Sequence, residues 1–590
     1  MRYFRTHGPR LAFLSPRFRC DSTITTETTG TSLTSPINEC KYSYDAVIVG
    51  GGHNGLVAAA YLAKAGLRVA VFERRHVLGG AAVTEEIVPG FRFSRASYLL
   101  SLFRPVVMRE LDLKSHGLEY FIKDPSSFTP LKDSRASLLL GSDQKMNYEQ
   151  IAKFSENDAK AFAKYEDHLN AIVGALEPLI DMEPVYFGPS WVKHRDSSVE
   201  TSLKLWRIGR VLRTLGAEQL LSFYKLMTSN IVKILNEHFE SEPLRATLAT
   251  DGVIGSAAGP YSVGTGYVLL HHVMGELDGI RGAWAFVRGG MGAVSLAIAR
   301  AARAAGAQLF VEQPVGQFIV SNGAADGVVL KGGREIRSNV VLSNATPRTT
   351  FLDLAPTGIF PESELRQIRN IDYNSPVTKI NVALDRLPQF ACLEGKAKNS
   401  YAIPLPHHGT TIHFNSESID DIQRSYAYYQ NGQISARPLI EMVIPSVKDD
   451  SLAPPNGSHV ALLFTQYTPY HLPNGLKWDN ANKTEYANTV FDSIEDYCPG
   501  FRNSIIGFEC LPPPKLEQIF GLSQGNIFHG ALSLDQLFFN RPIASCANYR
   551  TSLLGLYLCG SGSHPGGGVT GGPGRLAALA VLNDKKRKRV

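Results

Sequence analysis

Cysteine is scarce in this sequence, at 7 of 590 residues. Cys20, Cys40, Cys392, Cys498, Cys510, Cys546 and Cys559 are scattered, and no two stand in a C-x-x-C or C-x-x-x-x-C pair. An odd number of dispersed thiols argues against a disulfide framework, a zinc site and a redox dithiol, and points to a reducing compartment. Long apolar runs are also missing. None reaches the ~18 residues that a bilayer-spanning helix requires, so no transmembrane helix is expected.

A basic body is absent too, although the formal net charge is +6. Arg2, Arg5, Arg10, Arg17, Arg19 and Lys585, Lys586, Arg587, Lys588, Arg589 hold ten of the 60 basic residues at the two ends, leaving 50 against 54 acidic ones. A mildly acidic body offers no general phosphate-binding surface, so nucleic acid is not an expected partner. The remaining composition, 44% hydrophobic and 19% charged, is ordinary for a globular enzyme. The length of 590 residues exceeds one core and implies two or three folding units.

The first 20 residues are arginine-rich and acid-free, and residues 21–40 contain ten Ser or Thr. This composition fits a mitochondrial transit segment and linker over 1–43, with the matrix as the expected compartment. Gly8-Pro9 and Pro16 interrupt any long amphipathic helix there, so a plain extension stays open as the alternative. The terminal KKRKR reads either as a nuclear address or as a solvated tail at a helix C-terminus, where cations suit the dipole.

What is present begins at Asp45-Ala46-Val47-Ile48-Val49, an apolar run apt for a buried parallel strand. Gly50, Gly52 and Gly55 complete G-x-G-x-x-G, LVAAAYLAKAG follows as a helix with Gly66 as its stop, and a second strand ends at Glu73. The first glycine permits the turn, the second lets backbone approach a pyrophosphate, and the third lets helix and strand pack closely. A carboxylate at Glu73 accepts ribose hydroxyls and repels a 2′-phosphate, so NADP is disfavoured. The glycines alone are a weak signal, but strand, glycines, helix, strand and acid together are a strong one.

Gly79-Gly80 follows soon after the acid, which suits a ligand longer than one nucleotide. Far along the chain, LYLCGSGSHPGGGVTGGPGRLAALA at 556–580 runs from a short strand through a glycine-dense loop into a helix. With GGGHNG (50–55), FERRHVLGG (72–80), VRGGMGAVSLAIARAARAAGAQLFVEQPV (287–315) and VLSNATP (341–347), the chain resembles the flavin-dependent phytoene desaturase and carotenoid isomerase family, within the amine-oxidase-like flavoproteins. The resemblance spans about residues 44–580.

The resemblance implies an α/β fold, with a discontinuous Rossmann-like FAD-binding domain and an α+β substrate domain. FAD-binding parts are expected at 44–147, 281–369 and 549–582. A helical substrate part is expected at 148–280, a sheet part at 370–548 and a basic tail at 583–590. By the same resemblance Gly50, Gly52, Asn54, Gly55, Glu73, Gly79 and Gly80 lie along the ADP half of FAD. Val315 touches the adenine through its backbone, and Gly560, Gly562, Gly568 and Val569 line the flavin and pyrophosphate end. Ala81 departs from the family, whose members often carry arginine there. Gly290-Met291-Gly292 belongs to the FAD domain rather than to a separate NAD(P) site.

Candidate chemistry in the middle of the chain is thin. His271-His272, His407-His408, His529 and Tyr98 read as structural or loop residues, and His564 as a neighbour of the cofactor. No metal site is expected and no catalytic residue is nominated, because a flavin performs its own hydride chemistry. The leading reading is an FAD-dependent oxidoreductase that dehydrogenates, saturates or isomerises a C–C bond of a small lipophilic molecule, with peripheral contact to the inner mitochondrial membrane or its proteins. An FAD-retaining, non-catalytic regulatory or interaction protein of mitochondria is the second reading, and a NAD(P)-linked reductase the third.

Overall fold

The apolar run Ala46–Val49 forms a strand buried along its whole length. Ala46 and Ile48 face one hydrophobic layer, while Val47 and Val49 face the other. Such two-sided burial is what a central strand of a parallel sheet requires. The computed structural model describes residues 33–132, 134–188, 197–393 and 403–588. Most of the expected transit segment lies outside the described residues, as does Arg589 of the basic tail.

This strand sits at the centre of a five-stranded parallel sheet, in the order Gln308–Phe310, Val69–Phe72, Ala46–Val49, Val341–Ser343, Leu556–Leu558. The strands come from all three segments expected to build the FAD domain. On one face lie three helices, with His53–Lys64 packed against both Gly292–Ala304 and Gly572–Lys586. The other face is covered by an antiparallel three-stranded sheet, Val315–Ser321, Ala324–Leu330 and Glu335–Arg337. The helix His53–Lys64 ends where the sequence places its stop, at Gly66 with φ 88°.

A second, seven-stranded sheet runs Ile505–Leu511, Val377–Leu384, His459–Gln466, Leu439–Val443, Thr411–Phe414, Ser127–Pro130, Ser137–Leu140. It is antiparallel except where Thr411–Phe414 pairs in parallel with Ser127–Pro130. Its last two strands come from the 44–147 stretch, so that stretch serves both sheets. Leu138 and Leu140 there face the helical part, which includes Glu156–Ile180 and Ser198–Thr228. Ser155 starts the first of these as its sequence pattern indicates, its Oγ accepting from the Asp158 N–H at 3.1 Å. Among the described residues no helix is long and apolar enough to cross a membrane.

The C-terminal helix is anchored by a buried ion pair. Asp584 is fully buried and takes Arg550 Nε at 2.7 Å, while the Tyr557 hydroxyl donates to it at 2.9 Å. Arg550 also reaches Glu183 at 2.6 Å, tying the FAD domain to the segment that follows the helix Glu156–Ile180. Removing one partner of such a pair strands the other charge in low dielectric, at a cost of about 3–5 kcal/mol. Asp584→Ala is therefore expected to lower the thermal unfolding midpoint and to expose the C-terminal helix to protease. A variant that melts with the native protein would show that this anchor is dispensable.

Candidate cofactor site

At the first turn, Gly50 has φ 97° and Gly52 caps the helix His53–Lys64 without any side-chain cap. The initial N–H groups of a helix lack intrahelical acceptors, so this end suits an anion. A Cβ on Gly55 would stand 2.3 Å from the Gly50 carbonyl oxygen, and one on Gly52 2.8 Å from Asn344 Nδ2. Glycine is required at 55 for the strand and the helix to approach one another, while a side chain at 52 would displace the Asn344 amide. Asn344 donates to the Gly50 carbonyl at 3.2 Å. It had no place among the sequence-derived site residues, although VLSNATP marked its neighbourhood.

Glu73 lies at the end of the second strand and is only 6% exposed. Its two carboxylate oxygens accept the Gly51 N–H at 2.7 Å and the Arg75 N–H at 2.8 Å. The Gly79 N–H donates to the Gly51 carbonyl at 2.8 Å, and a Cβ on Gly80 would stand 3.2 Å from the Gly52 Cα. The two glycine pairs thus lie one upon the other beside a fixed carboxylate. Val315 begins a strand of the covering sheet, just after Gln313, whose N–H donates to the Glu73 carbonyl at 2.8 Å. Glu73 and Val315 are therefore neighbours despite their separation in sequence.

The second glycine loop arrives at the same place. Asn54 Nδ2 donates to Ser561 Oγ at 2.9 Å, across 507 positions of chain. Gly574, at the start of the C-terminal helix, comes so close that a Cβ would stand 2.1 Å from the Asn54 carbonyl oxygen. Gly560 lies against the carbonyl of Asn344, and Gly562 lies against Pro347. Gly568 has φ 91° and packs on Leu102, Val569 is half-buried against the helix-side core, and the Thr570 carbonyl accepts the Arg104 N–H at 2.9 Å. Arg541, which sequence reasoning missed, is buried and donates to the Ser561 and Ala531 carbonyls at 3.2 and 3.1 Å.

Buried polar atoms without protein partners collect at this junction: His53 Nε2, Asn54 Oδ1 and His529 Nδ1. Burial pushes the His53 imidazole down to about 4 and that of His529 to about 3, where His53 adds to the effect. Both rings are neutral near pH 7 and can hydrogen-bond a ligand without adding charge. Orphaned polar atoms together with a side-chain-free cradle fit an extended dinucleotide such as FAD. His564, by contrast, is held by backbone: its Nε2 lies 3.1 Å from the carbonyls of Leu179 and Ile180, and burial takes its pKa down to about 4. It braces the loop against the helical part.

Gly290-Met291-Gly292 has a different fate. Ser94 Oγ accepts the Met291 N–H and Thr84 Oγ1 the Gly292 N–H, each at 2.9 Å. Those N–H groups are taken by the protein's own hydroxyls and do not face a phosphate. Cys559, within the second glycine loop, is fully buried, which pushes its thiol pKa up, and no disulfide joins the described cysteines.

The family described as NAD(P)-binding Rossmann-like domain matches residues 48–112. The chain is 51% identical over 563 residues to pyridine nucleotide-disulfide oxidoreductase domain-containing protein 2 of Rattus norvegicus, covering 94% of this chain and 96% of the relative. It is 27% identical to one of the subunits of limonene dehydrogenase from Castellaniella defragrans, covering 93% and 96%, and phytoene desaturases are among its more distant relatives. Putrescine oxidase bound to putrescine shares the fold, with a TM-score of 0.55, 16% identity and coverage of 92% of this chain and 99% of that one. The chain belongs to the family of pyridine nucleotide-disulfide oxidoreductase domain-containing protein 2, and it is an FAD-dependent oxidoreductase that shares its fold with putrescine oxidase.

Proposed function

We propose that this protein dehydrogenates, saturates or isomerises a C–C bond of a small lipophilic molecule, with FAD lying along the two joined glycine loops. The Asn54–Ser561 contact carries this reading, because it unites two cradles that neither could form alone. FAD, when bound, supplies the hydride acceptor. The protein supplies the rest. Glu73 would hold the ribose and the Gly52-capped helix end the pyrophosphate, while neutral His53 and His529 border the junction.

The substrate is given room by a cavity of about 260 Å³ between the seven-stranded sheet and the helical part. Leu140, Phe162, Leu169 and Leu269 furnish apolar wall. The segment from Tyr98 and Leu99, which line this cavity, continues to Leu102 and Arg104, which touch the Gly568–Thr570 loop. Relatives named limonene dehydrogenase and phytoene desaturase support an apolar substrate. The acid-free, arginine-rich leader supports action in the mitochondrial matrix, where peripheral contact with the inner membrane or its proteins is part of the proposal.

The purified full chain is expected to show flavin absorption bands, which bleach on anaerobic mixing with a lipophilic donor if the bond is dehydrogenated, or return after chemical reduction on mixing with a lipophilic alkene if it is saturated. Absence of flavin would overturn the reading, and flavin that responds in neither direction, with the alkene recovered unisomerised, would favour the regulatory alternative. Glu73→Gln is expected to lower FAD retention about 10–100-fold, the scale of a lost charge-assisted hydrogen bond, measured as flavin per protein after gel filtration. Deletion of residues 1–32 is expected to move the protein from mitochondria to the cytosol on cell fractionation; unchanged location would refute the leader.

A further inference from the structure

The same cavity has a second character that an apolar substrate leaves unexplained. One end of it is lined by Tyr98, Lys123, Asp251, His413 and Glu441, together with Tyr165. Tyr165, His413 and Glu441 are 3%, 5% and 4% exposed. Yet Tyr165 Oη, His413 Nδ1 and Glu441 Oε1 have no hydrogen-bond partner in the protein. His413 Nδ1 and Glu441 Oε1 face each other at 4.0 Å, too far for a hydrogen bond and close enough for one atom to bridge them. Orphaned buried polar groups cost about 1–3 kcal/mol each. With Ser127 Oγ, which also lines the cavity, four such atoms mark a place where a ligand completes the bonding.

The groups that are paired hold this end in shape. The Tyr98 hydroxyl donates to Glu441 Oε2 at 3.1 Å, Lys123 Nζ donates to Thr411 Oγ1, and Lys379 lies over the Tyr98 ring at 5.3 Å. Burial pushes Glu441 up to about 8, with Asp251 adding to the rise, so its carboxyl is protonated near pH 7 and can donate. Burial also takes Lys123 down to about 7 and raises Asp251 to about 6. Three carboxyl groups, of Glu166, Asp251 and Glu441, and two basic groups, of Lys123 and Arg281, thus line the space with little net charge. A carboxylate ligand would meet Asp251, and an ammonium ligand would meet Lys123. A neutral oxygen meets no such repulsion and can both donate and accept.

We infer that the substrate is an otherwise apolar molecule bearing one neutral oxygen function, a hydroxyl or carbonyl, which is anchored among Tyr165, His413 and Glu441 while its hydrocarbon lies along the apolar wall. This rests on the proposed oxidoreductase function and narrows its substrate class. Tyr165, His413 and Glu441 act here as positioning residues that fix the distance between the oxygen and the bond that reacts.

The test uses the full-length purified protein and four probes of one chain length: decan-1-ol, decanal, decanoate and decylammonium. Binding is read by thermal shift and by displacement of an apolar fluorophore. The alcohol and the aldehyde are expected to bind at least tenfold more tightly than either ion. Tyr165→Phe removes a hydroxyl that makes no protein hydrogen bond, so the variant should melt no lower than the native protein. It should nonetheless bind the alcohol about 5–10-fold more weakly, the factor for about one hydrogen bond. Equal affinity for all four probes, binding of none, or an unchanged Tyr165→Phe affinity would overturn the inference. The flavin spectrum, recorded on the same samples, separates a failure here from a failure of the proposed function: binding is read with or without flavin, whereas missing flavin bands count only against the latter.

Discussion

Backbone approaching backbone is the constraint on which the rest of the molecule depends. The Gly574 Cα comes so near the Asn54 carbonyl, and the Gly55 Cα so near the Gly50 carbonyl, that neither position has space for a methyl group. These contacts press the C-terminal helix onto the first helix and the first helix onto the central strand. They also hold the two glycine loops in register, so that Asn54 can reach Ser561. A side chain at either position would separate the segments by more than a hydrogen bond can span. The cradle is thus set by packing distances, and its polar groups are placed as a consequence.

Two buried polar regions follow, and they differ in how charge is handled. At the loop junction, desolvation keeps His53 and His529 neutral, which leaves the helix end, the Glu73 carboxylate and the Arg541 guanidinium as the principal charges. In the cavity between sheet and helices, acidic and basic groups are buried together, and desolvation favours the neutral form of both Glu441 and Lys123. The second region stands at one end of the Tyr98–Arg104 segment and the first at the other. One short stretch of chain therefore runs from the cavity to the second glycine loop.

Much of the cofactor domain was legible in the sequence because its signals are local. A strand, a glycine turn, a helix and a terminal acid lie within one short unit, and the structure has each where the pattern indicated. The helix after Ser155 was legible for the same reason, a capping side chain next to its first turn. Asn344 and Arg541 were not, since each works through carbonyls of residues distant in sequence. The ionisable cluster was hidden more completely. Tyr98, Lys123, Asp251, His413 and Glu441 come from five separate stretches, and each alone resembles a surface or loop residue. Gly290-Met291-Gly292 shows the reverse case, in which a nucleotide-like motif directs its N–H groups to Thr84 and Ser94.

By itself the sequence determined the local chemistry: which turns need glycine, which strands are buried on both faces, and which helix end is left uncapped. Those properties depend on neighbours within a few residues, where steric limits and periodicity act directly. Tertiary structure alone decided which loops meet, which histidines lose their charge, and that three carboxyls, a lysine and an arginine share one cavity. Such outcomes depend on desolvation and on contacts between remote segments, and no short stretch of sequence contains either.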